Sequence, residues 1–122
     1  MSSRWGKQPE RIVVANDRFE VFRGNERIGW AGFEAIVLVE AYKRDELTVD
    51  LLCFDIAIAQ EPPLTWFIHE EAIGWQTLIE ALERLPGFDV KWREKVNQPA
   101  FGESRTVVYD QLAKLGGAGR RR

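Results

Sequence analysis

His69, Glu70 and Glu71 follow one another inside the stretch WFIHEEAIGW, Trp66 to Trp75, and bring together the side chains used for proton transfer and for metal binding. An imidazole beside carboxylates can work as a general acid–base pair when a cleft, a shifted pKa and a substrate surface surround it. Zinc hydrolysis asks for a second imidazole one helical turn on, as in His-Glu-x-x-His, and here the residue after His69-Glu70-Glu71-Ala72 is Ile73. His69 is the single histidine and Cys53 the single cysteine, so the chain does not assemble a zinc site of ordinary composition. Ligand spacing for calcium or magnesium is missing too, and no cofactor is expected.

A plainer reading fits the triplet. His69 ends a strand, and Glu70 and Glu71 fill the first turn of the following helix, where carboxylates are stabilised by about 0.3–1 kcal/mol against the helix dipole. Other charged candidates lie upstream. Lys43-Arg44-Asp45-Glu46 reads as the solvated tip of a hairpin, with a charged binding site as its alternative. Asp50, in LTVDLLCFDI, needs a partner such as Lys43 or Arg44 if its face of the sheet is partly covered. Trp30, Trp66, Trp75 and Trp92 all fall near element ends. Most are expected to pack in the core or at its rim, and one or two, with Trp75 a candidate, to form an exposed patch for a partner. The chain has no Gly-rich phosphate loop, no Gly-x-Ser-x-Gly elbow and no dinucleotide fingerprint.

The elements that position these residues read as follows. RIVVANDRFEVFRGNERIGW, from Arg11, holds three β-rich runs separated at Asn16-Asp17 and Gly24-Asn25, the pattern of an antiparallel meander. FEAIVLVEAYKRDELTVDLLCFDIAIA is a long hairpin, its second arm wet on one face at first and apolar on both faces later. Glu61-Pro62-Pro63 closes that arm, and LTWFIH forms another strand. The period then changes: Ala72, Trp75, Leu78, Ile79, Leu82 and Leu85 recur at helical spacing, and Pro86-Gly87 stops the helix. Phe88, Trp92 and Val96 predict a short second helix with Asp89 as its cap. NQPAFGE is a loop whose Ala100-Phe101 dips inward, RTVVYD a last strand, and Gln111 to Leu115 a further helical turn.

Strands crowd the first half and one amphipathic helix follows, so the class is α+β: a curved antiparallel sheet or partly open barrel, pleckstrin-homology-like in general form, covered by one main helix. With 122 residues, 45% hydrophobic and 30% charged, the chain is sized for a single domain over residues 1–115, with the basic GGAGRRR of residues 116–122 as a flexible tail. A net charge of −2 gives no pull toward nucleic acid. The absence of a long apolar run argues against a membrane span, and a lone cysteine in DLLCFDI fits a reduced, cytoplasmic protein.

The order AYKRDELTVDLLCF, IHEEAIGWQTLIEAL, LPGFDVKW and VNQPAF resembles a group of small, uncharacterised bacterial cytosolic proteins. Ala41-Tyr42-Lys43-Arg44-Asp45, Leu85-Pro86-Gly87-Phe88 and Pro99-Ala100-Phe101 carry it most specifically. The resemblance implies a bacterial source and a shared fold, and brings no activity with it. The expectation is a non-enzymatic domain that contacts another protein or a second copy of itself through a strand edge or a tryptophan patch. The alternative is a module holding a small apolar, lipid-like molecule between sheet and helix.

Overall fold

The computed structural model describes residues 9–45, 50–96 and 105–111, with Asp45 and Asp50 described in backbone alone. Within them the chain runs β1 (Arg11–Val14), β2 (Arg18–Arg23), β3 (Glu26–Gly32), a 3-10 turn (Phe33–Ala35), β4 (Ile36–Asp45), β5 (Asp50–Ile58), β6 (Leu64–His69), α1 (Trp75–Glu83), α2 (Trp92–Val96) and β7 (Thr106–Asp110). The strands form two antiparallel sheets, β1-β2-β3 and β6-β5-β4-β7, which do not close into a barrel. One main helix and one short helix complete an α+β fold made mostly of strands.

The meander turns where the sequence places its turn residues. Val14 faces Phe19 across Asn16-Asp17, and Arg23 faces Glu26 across the two-residue turn Gly24-Asn25. Alternation then sorts the side chains of the small sheet. Ile12, Phe19, Val21 and Ala31 point inward and are buried, while Arg11, Val13, Arg18, Glu20, Phe22, Arg27 and Trp30 take the other face. On the large sheet Val39, Ala41, Phe54, Ile56, Trp66 and Ile68 join the same core.

α1 covers this core with the face expected from its spacing: Trp75, Leu78, Ile79 and Leu82 are buried, and Gln76, Thr77 and Glu80 are exposed. Aromatic rings fill the space between helices and sheet, with Phe54 5.2 Å from Trp75 and 4.8 Å from Trp92, centroid to centroid. Trp92 Nε1 donates to Glu83 Oε2 at 2.9 Å and so joins the two helices. Asp89 Oδ1 accepts the Lys91 N–H at 3.0 Å in the turn that leads into α2.

Two features depart from simple alternation. In β7, Tyr109 faces Val39 and Val107 faces Glu40, which leaves Val108 as the extra residue of a bulge. Val108 and Tyr109 are therefore both buried in succession, and Val107 is left half exposed. In β3 a similar shift inserts Ile28 between Arg27 and Gly29. Gly29 then lies against the Trp66 ring so closely that a Cβ would stand 2.6 Å from Cζ2. The Trp66 indole crosses from one sheet to the other at this point.

The entry to α1 also differs from the sequence reading, which starts the helix at Glu70. Ile73 is drawn to the edge of β1, its carbonyl accepting the Ile12 N–H at 2.7 Å and its N–H reaching the Glu10 carbonyl at 3.0 Å. Gly74 follows with φ of +94° and its Cα pressed toward Ile12, where a Cβ would come within 2.2 Å of the carbonyl oxygen. Only glycine takes both the left-handed backbone and the close approach. The helix begins after it, at Trp75.

Candidate functional site

The His69 triplet is a turn, and its side chains are engaged in making it. Glu70 Oε1 accepts the Leu52 N–H at 2.6 Å, while the Glu70 N–H reaches the Leu52 carbonyl at 3.0 Å, extending the pairing of β5 one step beyond β6. His69 Nδ1 accepts the Glu71 N–H at 3.2 Å. Glu70 and Glu71 thus precede the helix and do not occupy its first turn, because Ile73 and Gly74 hold that backbone in another conformation. His69 and Glu71 border a shallow open depression with Pro9, Glu10, Arg23 and Ala72. Glu10 Oε1 is held there by the Gly24 N–H at 2.9 Å.

Lys43, Arg44 and Asp45 are strand residues and not a hairpin tip. Lys43 faces Leu52, Arg44 faces Leu51 and Asp45 faces Asp50, and the residues between the two strands, 46–49, lie outside the described ones. The register is set by the core face, where Phe54, Ile56 and Ile58 must point inward, and at the far end of the sheet the backbone remains paired through the charged residues, with Lys43 and Arg44 partly exposed. Asp50 accordingly stands opposite Asp45 and not opposite Lys43 or Arg44. Trp75 is buried at 7% exposure and packs on Phe54, so it belongs to the core and not to a surface patch. The loop with Ala100-Phe101, all but the first residue of the helical turn expected from Gln111 to Leu115, and the basic tail lie outside the described residues.

A polar cluster that sequence reading did not assemble lies on the reverse face of the large sheet. Arg105 Nη1 bridges Glu40 Oε1 at 3.1 Å and Asp55 Oδ2 at 2.9 Å, and its guanidinium lies 4.0 Å from the centroid of the Tyr42 ring. The Tyr42 hydroxyl donates to Asp55 Oδ1 at 2.8 Å. Burial first, then this bond and the Asp55 charge, push the Tyr42 phenol well above its ordinary value. Partial burial works against the Arg105 charge, but the hydrogen bond and charge of Asp55 outweigh it and raise its pKa. Both Asp55 oxygens are engaged within the cluster, and its visible effect is to pin the start of β7 to β4 and β5.

The outer face of the three-stranded sheet is organised differently. Its side chains stand in two cross-strand rows, Val13–Glu20–Trp30 and Arg11–Phe22–Arg27, with Arg18 beyond the first. Trp30 is 49% exposed, whereas Trp66, Trp75 and Trp92 are at most 7% exposed. Val13, at the other end of the same row, is 39% exposed. Arginines lie over the rings: Arg11 stands 4.0 Å from the Phe22 centroid and Arg18 4.6 Å from that of Trp30. Arg27 Nη1 meets Glu20 Oε2 at 3.4 Å, and Arg18 Nε meets Asp17 Oδ1 at 3.3 Å, both on the wet surface.

Aromatic and arginine side chains on a flat face are the usual makeup of a protein-contact surface. Of these residues sequence reading named Trp30 alone, and only as one of four tryptophans. The signal was present in Ile28-Gly29-Trp30-Ala31-Gly32, where small residues on either side of Trp30 leave little on the inner face and turn the large ring outward. Among the described residues, no group of three or more His, Cys, Asp or Glu side chains is placed to hold a metal ion, and no helix is long and apolar enough to cross a membrane. Comparison with protein-family models, with curated proteins and with solved structures gives no match.

Proposed function

We propose that this protein is a non-enzymatic domain of the bacterial cytoplasm that works by contact with another protein, and that the outer face of its three-stranded sheet is the contact surface. The observation that carries this reading is Trp30. A tryptophan left 49% exposed in the middle of a strand, in one cross-strand row with an exposed Val13 and within reach of Arg18, keeps apolar area in water that a partner would remove. The engagement of Glu70 with Leu52 and of His69 with Glu71 supports a structural role for the one triplet that had the makings of acid–base chemistry.

The test is photo-crosslinking in cells from position 30, with Trp30 replaced by benzoylphenylalanine, against the same probe at Val90, an exposed apolar residue away from this face. One recurring adduct of defined mass from position 30, absent from position 90, is the expected result. No adduct from position 30, or the same adducts from both positions, overturns the reading.

A second reading, a small amphipathic ligand held where sheet meets helix, has support from an open depression of about 510 Å³ bordered by Val14, Phe33, Ala81 and Leu85. Native mass spectrometry of untagged protein tests it: a retained species of defined mass, lost on Ala81→Trp, is its expected signature. A bare mass from freshly isolated protein removes it.

A further inference from the structure

We propose that the partner presented to this face is an acidic, extended segment of another protein, whose carboxylates are taken by Arg11, Arg18 and Arg27 and whose apolar side chains rest on Phe22 and Trp30. The inference rests on the partner-contact reading above and adds the chemistry of the partner. The outward side chains of the sheet set these three guanidiniums against the carboxylate of Glu20 and, at the edge beside Arg18, that of Asp17, on a chain whose net charge is −2. The face is therefore opposite in sign to the molecule as a whole. An acidic partner is drawn to this side and turned away from the others.

The guanidiniums are also arranged for carboxylates in particular. Arg11 and Arg18 lie over Phe22 and Trp30, which limits the freedom of their side chains, and a guanidinium carries its N–H donors in its own plane, where they match the two oxygens of a carboxylate. Their existing ion pairs within the face are long and exposed, at 3.3 Å to Asp17 and 3.4 Å from Arg27 to Glu20, and such pairs exchange at little cost. The spacing fits an extended chain. The two rows are two residues apart on β1 and β2, as Val13 and Arg11 or Glu20 and Phe22 show, with one residue more on β3 at the Ile28 bulge, and alternate side chains of an extended segment recur at an interval of about 6.6 Å.

Two other occupants fit less well. A second copy would set the three arginines against three more, and like charges face to face oppose docking. A single-stranded nucleic acid stacks its bases flat on aromatic rings, and the faces of Phe22 and Trp30 are shared with guanidiniums, whereas aliphatic side chains need only the ring edges. It would also meet the Glu20 carboxylate between Val13 and Trp30, at the centre of the row.

The experiment is an NMR titration of the isotope-labelled full chain with three probes at low salt: a short synthetic peptide of alternating glutamate and leucine, its lysine–leucine counterpart, and oligothymidylate. The expected result is saturable movement of the Trp30 indole N–H and of the Phe22 and Trp30 amides with the glutamate peptide. Its affinity should exceed that of the lysine peptide by about tenfold or more, fall with added salt, and weaken about tenfold in Arg27→Glu. Arg27→Gln, milder on a side chain that is half exposed, should weaken it less and serves if the charge reversal perturbs folding. Equal or tighter binding of the lysine peptide overturns the acidic preference and leaves the contact surface in place. Movement with oligothymidylate alone overturns it in favour of a nucleic-acid surface. If none of the probes moves these resonances at millimolar concentration, the acidic-segment proposal is overturned, and crosslinking from position 30 still decides independently whether the face meets a partner.

Discussion

The Trp66 ring rests on the Cα of Gly29, so the two sheets touch where one residue is as large, and the other as small, as the genetic code allows. A Cβ at position 29 would stand 2.6 Å from Cζ2 and 2.8 Å from Cη2 of the Trp66 ring, which is itself buried at 1% exposure. Gly29→Ala is therefore expected to lower stability by about 1–3 kcal/mol through overpacking. Urea denaturation monitored by tryptophan fluorescence checks this; an unchanged midpoint would show that the sheets separate more easily than the contact implies.

Gly74→Ala meets a harder obstacle, the Ile12 carbonyl oxygen at 2.2 Å from the new Cβ, together with a backbone at φ +94°. The expected loss is about 2–4 kcal/mol. Gly74→Asn separates the two causes. Asparagine tolerates a left-handed backbone but carries the same Cβ, so it should recover little of the loss, and a full recovery would assign the whole effect to the dihedral.

The Tyr42 phenol gives a pH dependence whose sign follows from its surroundings. Because its folded-state pKa lies above the ordinary value of 10.0, the folded protein holds this proton more tightly than the unfolded chain does. That contribution is fully present below about pH 10 and is lost as pH rises from there toward the folded-state value. Urea midpoints measured from pH 8 upward should fall more steeply above pH 10 in the wild type than in Tyr42→Phe. Parallel profiles would mean that the Asp55 bond does not hold the phenol protonated.

Glu70 offers a direct check that the histidine triplet is structural. Glu70→Ala leaves the Leu52 N–H without its 2.6 Å acceptor and should cost about 0.5–1.5 kcal/mol. Glu70→Gln keeps a carbonyl oxygen in that place and should recover most of it. If glutamine proves as damaging as alanine, the charge and not the acceptor matters, and the structural account of this turn fails.

Much of this architecture was legible because local and global preferences agree. Asn16-Asp17 and Gly24-Asn25 turn the meander where the register requires it, and the helical face of Trp75, Leu78, Ile79 and Leu82 is the buried one. Legibility failed where a tertiary contact overrides a local signal. Glu70-Glu71 looks like a helix start until Ile73 is paired with β1, and no periodicity announces that a strand from the far end of the chain will capture it. Lys43-Arg44-Asp45 looks like a hairpin tip because charge marks solvent, but a strand can run on into solvent with its backbone still paired. The arginine and aromatic rows became visible only with the register, since Arg11, Phe22 and Arg27 come from three different strands.

The capture of Ile73 by β1 bears on how the molecule behaves in a crowd. An open strand edge invites foreign strands, and here part of the outer edge of the small sheet is already spent on the chain itself, through the Ile12 N–H and the Glu10 carbonyl. A visitor to that side finds backbone groups answered from within. Recognition is thereby shifted from main chain, which any extended peptide can satisfy, to the side chains standing on the face, and a surface that reads side chains can refuse as well as accept.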